Sequence, residues 1–316
     1  MKARDFKDFV AQLDVLSEVQ REALMAALKA KGSTNEVIAL IETQFAAAPC
    51  CGHCTSERIK LWGHASGLGR YKCRDCGRTF NALTGTPLAR LQRRDAWIDY
   101  ARAMVDCTSL RKAATRAKVC LDTSFRWRHR FLTAAREKRP SQVTGIVEAD
   151  ETVFLKSQKG ARNIVGRKPR KRGGKAAKPG ISPDDYDIML IVRDRHKATA
   201  DYLLPDFKGL TFEHRLAPIV DRDSVLVSDG RPCYKTFARN CGMDHIAIFA
   251  RRGEYVKGSF HIQNVNSYIT RLKDWLRPFK GVASKCRSSY LGWRRMIERD
   301  GDRLTPLHLI AEALGT

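Results

Sequence analysis

Two aspartates and two pairs of cysteines are the residues whose type and setting could do chemistry in this chain. Asp150 stands mid-strand in EADETVF. A carboxylate in an otherwise apolar strand is costly to bury unless it is paired or bound to metal. Asp229 ends the apolar run SVLVSD directly before Gly230, where a strand-to-helix turn exposes side chains at the carboxyl edge of a sheet. Two carboxylates at the ends of adjacent strands can share divalent cations. Mg²⁺ (or Mn²⁺) suits them, being a hard ion that takes oxygen ligands and retains several waters. Two such ions ~3.5–4 Å apart stabilise the entering and leaving oxygens of an in-line phosphoryl displacement. Taken singly, Asp229-Gly230 also reads as an ordinary turn, and Asp150 as the ion-pair partner of an arginine.

Cys51 and Cys54 bracket two residues, and Cys73 and Cys76 do the same further on. Tetrahedral Zn²⁺ takes four soft ligands at ~2.3 Å, and each Cys-x-x-Cys turn delivers two of them from one tight knuckle. Two knuckles joined by a short β-like excursion make a zinc ribbon. A redox pair would need only one such turn and a βαβ setting, which is missing here. Cys50 and His53 flank the first knuckle as substitute ligands. Four thiolates close the coordination shell, so this zinc is expected to be structural.

The elements that must carry these groups fall into blocks. The first 48 residues read as helices: an apolar face through Phe6, Phe9, Val10, Leu13 and Leu16, then a capping box at Ser17/Gln20 with a stop at Gly32, then a second box at Ser33/Glu36. Residues 49–90 hold the cysteine ribbon and 91–138 are helical and basic. Residues 146–300 contain five short apolar strands (IVEADETVFL, YDIMLIVRD, ATADYLL, SVLVSD, HIAIFA) and then an amphipathic helix from about His261 to Phe279. The strands read as coming first, pairing without obligatory crossovers, with helices closing the sheet: an α/β domain. Thr305 and Pro306 open a short final helix within 301–316.

Charge says what the partner is. Lys plus Arg number 58 against 34 Asp plus Glu, a net charge of +24, while 43% of residues are hydrophobic and can fill cores. That balance points to a polyanion, and to double-stranded DNA before anionic lipid. No run approaches the ~18 apolar residues of a membrane span. Asp5, Asp8 and Asp14 interrupt any secretory signal, so a cytoplasmic, nucleoid-associated protein is expected. SLRKAATRAKV and SFRWRHRFL have the spacing of a helix-turn-helix, with Arg126, Arg128 and Arg130 on the recognition helix; an ordinary helical hairpin has the same spacing. Residues 156–180 carry ten Lys or Arg and no acid, Lys168, Arg170, Lys171 and Arg172 among them, punctuated by Gly and Pro. Such a segment cannot bury enough surface to fold alone and reads as an excursion lying along phosphates.

EADETVF with its basic excursion, VSDGRPCY, TGTPL after the second knuckle, and above all HIQNVNSYITRLKDWLRPFKGVASKCRSSYLGWRR resemble insertion-sequence transposases of the DDE type, in particular the ISXO-like group. The resemblance implies an RNase H-like mixed-sheet catalytic core behind an N-terminal zinc ribbon. It makes Asp150 and Asp229 the first two catalytic acids. It puts Asn266 at the third position, an Asp-Asp-Asn variant in which a neutral carbonyl oxygen replaces a carboxylate; Asn264 is the nearest rival and His261 lies near the helix start. Lys273, two turns beyond Asn266 on the same face, resembles a phosphate contact. The expected function is binding of terminal inverted repeats followed by Mg²⁺-dependent cleavage and strand transfer, by a homodimer or larger assembly on DNA. A non-catalytic DNA-binding regulator, a cutting but non-joining nuclease, and an inactive remnant are the alternatives.

Overall fold

A computed structural model describes residues 7–8, 10–164 and 184–315. It divides the chain into two units, residues 1–131 with 303–316, and residues 132–302.

In the first unit, Ser17 accepts a hydrogen bond from the Gln20 backbone while the Gln20 side chain accepts from Ser17 N–H. This reciprocal cap opens α1, Glu18–Ala47. The helix does not stop at Gly32, and the second box at Ser33 does not form: α1 runs 30 residues without a break. One glycine costs only ~1 kcal/mol in a helix, and Val37 and Ile41, buried on the far side of it, hold the axis in register. Of the apolar face expected before Ser17, Phe6 and Phe9 lie outside the described residues, and Gln12–Val15 form a 3₁₀ turn.

An antiparallel sheet follows, β1 (Ile59–Ala65), β2 (Leu68–Cys73) and β3 (Thr79–Asn81), in that order. Its small core stacks Tyr71 between Phe45 of α1 and Phe80, with ring centroids 4.7 and 5.7 Å apart. Three helices come next: α2 (Trp97–Val105), α3 (Leu110–Arg116) and α4 (Leu121–Phe131). Trp97, Tyr100, Trp127 and Phe131 interlock edge to face in their core. The second helix of this pair starts at Leu121, three residues ahead of the expected Ser124, so the turn is Ala117–Cys120. Phe125 is exposed. The final helix, Pro306–Leu314, capped by Thr305, packs on α1, α2 and α4, and so belongs to this unit.

In the second unit, a short helix α5 (Thr133–Glu137) precedes a five-stranded sheet. Its strands are β4 (Ile146–Leu155), β5 (Tyr186–Asp194), β6 (Thr199–Leu204), β7 (Val225–Ser228) and β8 (Asp244–Ala247), within a few residues of the five apolar runs. The spatial order is β6-β5-β4-β7-β8. The first three pair antiparallel, whereas β7 lies parallel to β4 and β8 parallel to β7. Parallel neighbours need crossovers, and α6 (Gly209–Leu216) and α7 (Pro232–Cys241) supply them. The expectation of strands first and helices afterwards is thus corrected: helices are interleaved with the last two strands. Val147, Ala149, Leu190, Val192, Leu226, Phe212, Tyr234 and Phe237 form the core between sheet and crossover helices. On the other face lie α8 (Gln263–Leu276) and α9 (Arg287–Asp300), with Trp275, Phe279, Tyr290 and Trp293 packed as one aromatic group. Gly292 of α9 passes so close to α5 that a Cβ there would sit 2.4 Å from the Ala135 carbonyl. No helix among the described residues is long and apolar enough to cross a membrane.

Candidate metal centres

The four cysteines of the ribbon converge. Cys51 and Cys54 come from the turn before β1, and Cys73 and Cys76 from the turn that ends β2. Their sulfurs lie within 4.8 Å of one another, Cys51 to Cys76 at 3.7 Å and Cys54 to Cys73 at 3.6 Å. A tetrahedron with metal–sulfur bonds of ~2.3 Å has edges of about 3.8 Å, so the four sulfurs fit a structural Zn²⁺. The backbone N–H groups of Cys76 and Asp75 point at Cys73 Sγ and pull that thiol down to about 6, which favours the thiolate a metal needs. Gly52 is required in the first knuckle: a Cβ there would lie 2.2 Å from the carbonyl of Thr84, in the TGTPL segment. Neither Cys50 nor His53 belongs to the sulfur cluster.

The second centre is carried by the five-stranded sheet. The last rung between β4 and β7 joins Glu148 to Val227, and two residues further along both strands stand Asp150 and Asp229. Gly230, at φ +79, lets the chain turn sharply after Asp229, and a Cβ there would strike the Phe249 ring at 2.5 Å. Asp150 and Asp229 are joined by a third acid, Glu151, with carboxylate oxygens of all three within 4.8 Å of one another. The sequence reading passed over Glu151, though the adjacent pair Asp150-Glu151 was the signal. Burial pushes Asp150 up to about 6, against the pull of the Glu151 backbone N–H and with the Asp229 charge adding to the rise. Burial likewise pushes Glu151 up to about 7, opposed by Arg231. Crowded carboxylates with raised pKa values are a donor set that a divalent cation fits, because its charge offsets both repulsion and burial. The guanidinium of Arg231 already shares these oxygens, with Nε 3.1 Å from Asp229 and Nη1 3.4 Å from Glu151.

A buried carboxylate fixes the helix opposite. Glu148, on the same face of β4 as Asp150, is fully buried. It accepts hydrogen bonds from Asn264 Nδ2 at 2.8 Å and from Val265 N–H at 3.0 Å, both at the start of α8, and pairs with Arg195 at 3.3 Å. Asn264, the rival third position, is therefore committed to Glu148, and His261 lies 3.6 Å from the same carboxylate. Asn266 and Lys273 are exposed on α8. The Lys273 charge reaches Asp150 and helps hold its carboxyl down against burial.

The arginines expected on the recognition helix divide. Arg126 is exposed. Arg128 is fully buried and donates to the Thr108 carbonyl at 3.0 Å, bracing the turn that leads into α3. Arg130 donates to the carbonyls of Pro87 and Ala89. These two guanidiniums tie the unit together, a use that helical spacing could not distinguish from an outward face. Lys168, Arg170, Lys171 and Arg172 lie outside the described residues.

Residues 142–293 match the ISXO2-like transposase domain. The chain is also 27% identical over 247 residues to an uncharacterized protein in transposable element ISH50 of Halobacterium salinarum, a span covering 76% of this chain and 82% of that relative. The resemblance to ISXO-like transposases read from the sequence therefore stands.

Proposed function

We propose, from the premise that residues 142–293 match the ISXO2-like transposase domain, that this chain cuts and joins DNA as an insertion-sequence transposase. The observation that carries the reading is the convergence of Asp150, in the middle of β4, with Asp229, just past the end of its parallel neighbour β7, although the two are distant in sequence. The strand order, three antiparallel strands flanked by two parallel ones, supports an RNase H-like core.

Asp150, Asp229 and the Asn266 carbonyl would hold Mg²⁺ or Mn²⁺, with Glu151 as a further oxygen donor. Divalent metal, when bound, supplies Lewis-acid stabilisation of charge on the attacking and leaving oxygens of a phosphodiester. Lys273 meets a non-bridging phosphate oxygen and shares the charge that develops there. Glu148 keeps α8, and with it Asn266 and Lys273, against the catalytic strand. Water is the first nucleophile and the freed 3′-hydroxyl the second, so no covalent link to the protein is needed. Arg126 and the basic segment 156–180 bind the terminal repeats and target, the four cysteines hold Zn²⁺, and at least two copies of the chain bring the DNA ends together.

Incubating the chain with Mg²⁺, duplex DNA carrying the flanks of its gene, and a plasmid target tests this. Joined products that vanish in Asp150→Asn, while DNA binding persists, are the expected result. Cleavage without joining would make it a nuclease. Binding without either, with activity appearing only in Asn266→Glu, would make it an inactive remnant.

A further inference from the structure

The outer hairpin of the cysteine ribbon gathers like charges around one exposed aromatic ring. Lys60 of β1 and Lys72 of β2 are directly opposite one another in the ladder. Like charges at opposed positions destabilise a strand pair. No acid stands between residues 58 and 74 to relieve them, while Arg58, Arg70 and Arg74 add to the charge. Among the described residues, Arg58 alone of these finds a carboxylate, Asp75, at 2.8 Å.

Between the two ammonium groups lies the ring of Trp62, 4.8 Å from Lys60 Nζ and 4.9 Å from Lys72 Nζ. Trp62 is two residues from Lys60 on the same side of the strand. The opposite side carries Tyr71, which packs on Phe45 and Phe80. Nearly the whole of β1 is exposed, and Trp62 remains 48% accessible. The register is broken between Leu61 and His64, with Gly63 at φ +104, a bulge of the kind that re-aims a side chain next to a functional surface.

We propose that this face of the β1–β2 hairpin is a DNA-binding surface, in which Lys60 and Lys72 straddle the phosphate backbone and Trp62 lies against the sugars and bases between them. It rests on the DNA-binding part of the function proposed above and adds a second contact surface to the helical segment. Charge complementarity selects the partner: a polyanion turns the Lys60–Lys72 repulsion into two phosphate contacts, and an exposed ring gains stacking without sequence demands.

The full-length, zinc-loaded chain is titrated against a short fluorescein-labelled duplex from the gene's flanks, by anisotropy, over a salt series. Lys60→Gln with Lys72→Gln should lower the slope of log K against log salt by about 1.8, ~0.9 for each lost phosphate contact. The same double variant should keep the amide protection of the ribbon, so that the lower slope reports lost phosphate contacts and not unfolding. Trp62→Ala should weaken binding about tenfold at fixed salt and leave the slope unchanged, and Trp62→Phe should restore most of the loss. Wild-type slope and affinity in both variants, alongside weakened binding in Arg126→Gln, would overturn the hairpin and leave the helical contact standing. A wild-type chain that does not bind the duplex would overturn both. If Trp62→Ala instead abolishes a dimer of the DNA-free chain, the face is a self-interface and the proposal fails.

Discussion

The two candidate metal centres of this chain are built in opposite ways. The cysteine centre draws its four ligands from two tight turns of one small sheet, and its sulfurs stand at the edge lengths of a tetrahedron with no place for another ligand. The carboxylate centre draws its ligands from two strands that have two further strands, a helix and a long basic stretch of sequence between them. It is already shared by a permanent cation, Arg231, and looks toward an exposed lysine. A closed shell of soft ligands serves folding. A crowded, partly open shell of hard ligands leaves room for further oxygen ligands to enter.

Removing metal should separate the two most sharply. Stripping Zn²⁺ with a strong chelator, or changing Cys51 and Cys73 to Ser, should unfold the ribbon, since structural zinc contributes ~10–16 kcal/mol in isolated finger peptides. Loss of amide protection across residues 49–90 reads this. Leaving Mg²⁺ and Mn²⁺ out of the buffer, with the zinc still loaded, should leave the five-stranded sheet protected. Equal loss in both would erase the distinction.

Glu148→Ala comes next. It leaves the Asn264 amide and the Val265 N–H without an acceptor and Arg195 without its buried partner, at a cost of about 3–5 kcal/mol. A denaturation midpoint within error of wild type would show that Glu148 does not clamp α8.

Proton linkage gives a smaller effect. Asp150 and Glu151 have folded pKa values, about 6 and about 7, above those of ordinary carboxylates, so the folded metal-free chain binds more protons than the unfolded one between those limits. Their contribution to stability is greatest when both are protonated and falls as pH rises from ~4 through ~7. Urea midpoints at low and neutral pH, compared between wild type and Asp150→Asn with Glu151→Gln, should show the slope flattened in the variant. The same window governs metal: Mn²⁺ uptake should release protons below neutral pH and release few above it.

Arg231→Gln is expected to have the smallest effect. It removes the resident positive charge from the Asp229 and Glu151 oxygens, so Mn²⁺ should bind several-fold more tightly, ~1 kcal/mol. Calorimetry on the DNA-free chain measures it. Weaker binding would mean that Arg231 positions the acids for metal instead of competing with it.

Much of this was legible in the residues, for identifiable reasons. The cysteine knuckles are local: ligand spacing of two is enforced by the turn itself. The five strands announced themselves as short apolar runs, Asp150 as a carboxylate within one of them and Asp229 as one at the end of another. Glu151 was missed because alternation along a strand assigns it to the opposite face from Asp150, and only the geometry at the sheet's edge brings both to one point. That Arg128 and Arg130 reach backbone carbonyls was not legible, because helical periodicity cannot tell a solvated guanidinium from one that bonds across a turn. Gly32 was overrated as a stop, since its local cost is small beside the packing of Val37 and Ile41 further along α1.

The amino-acid order determined which groups were present, their local spacing and the elements that carry them, because turns, caps and apolar runs act over a few residues. Tertiary structure decided which strands became neighbours, that Arg231 shares the acids, and that Glu148 holds α8. Those outcomes depend on long-range pairing and burial, which no short window of sequence contains.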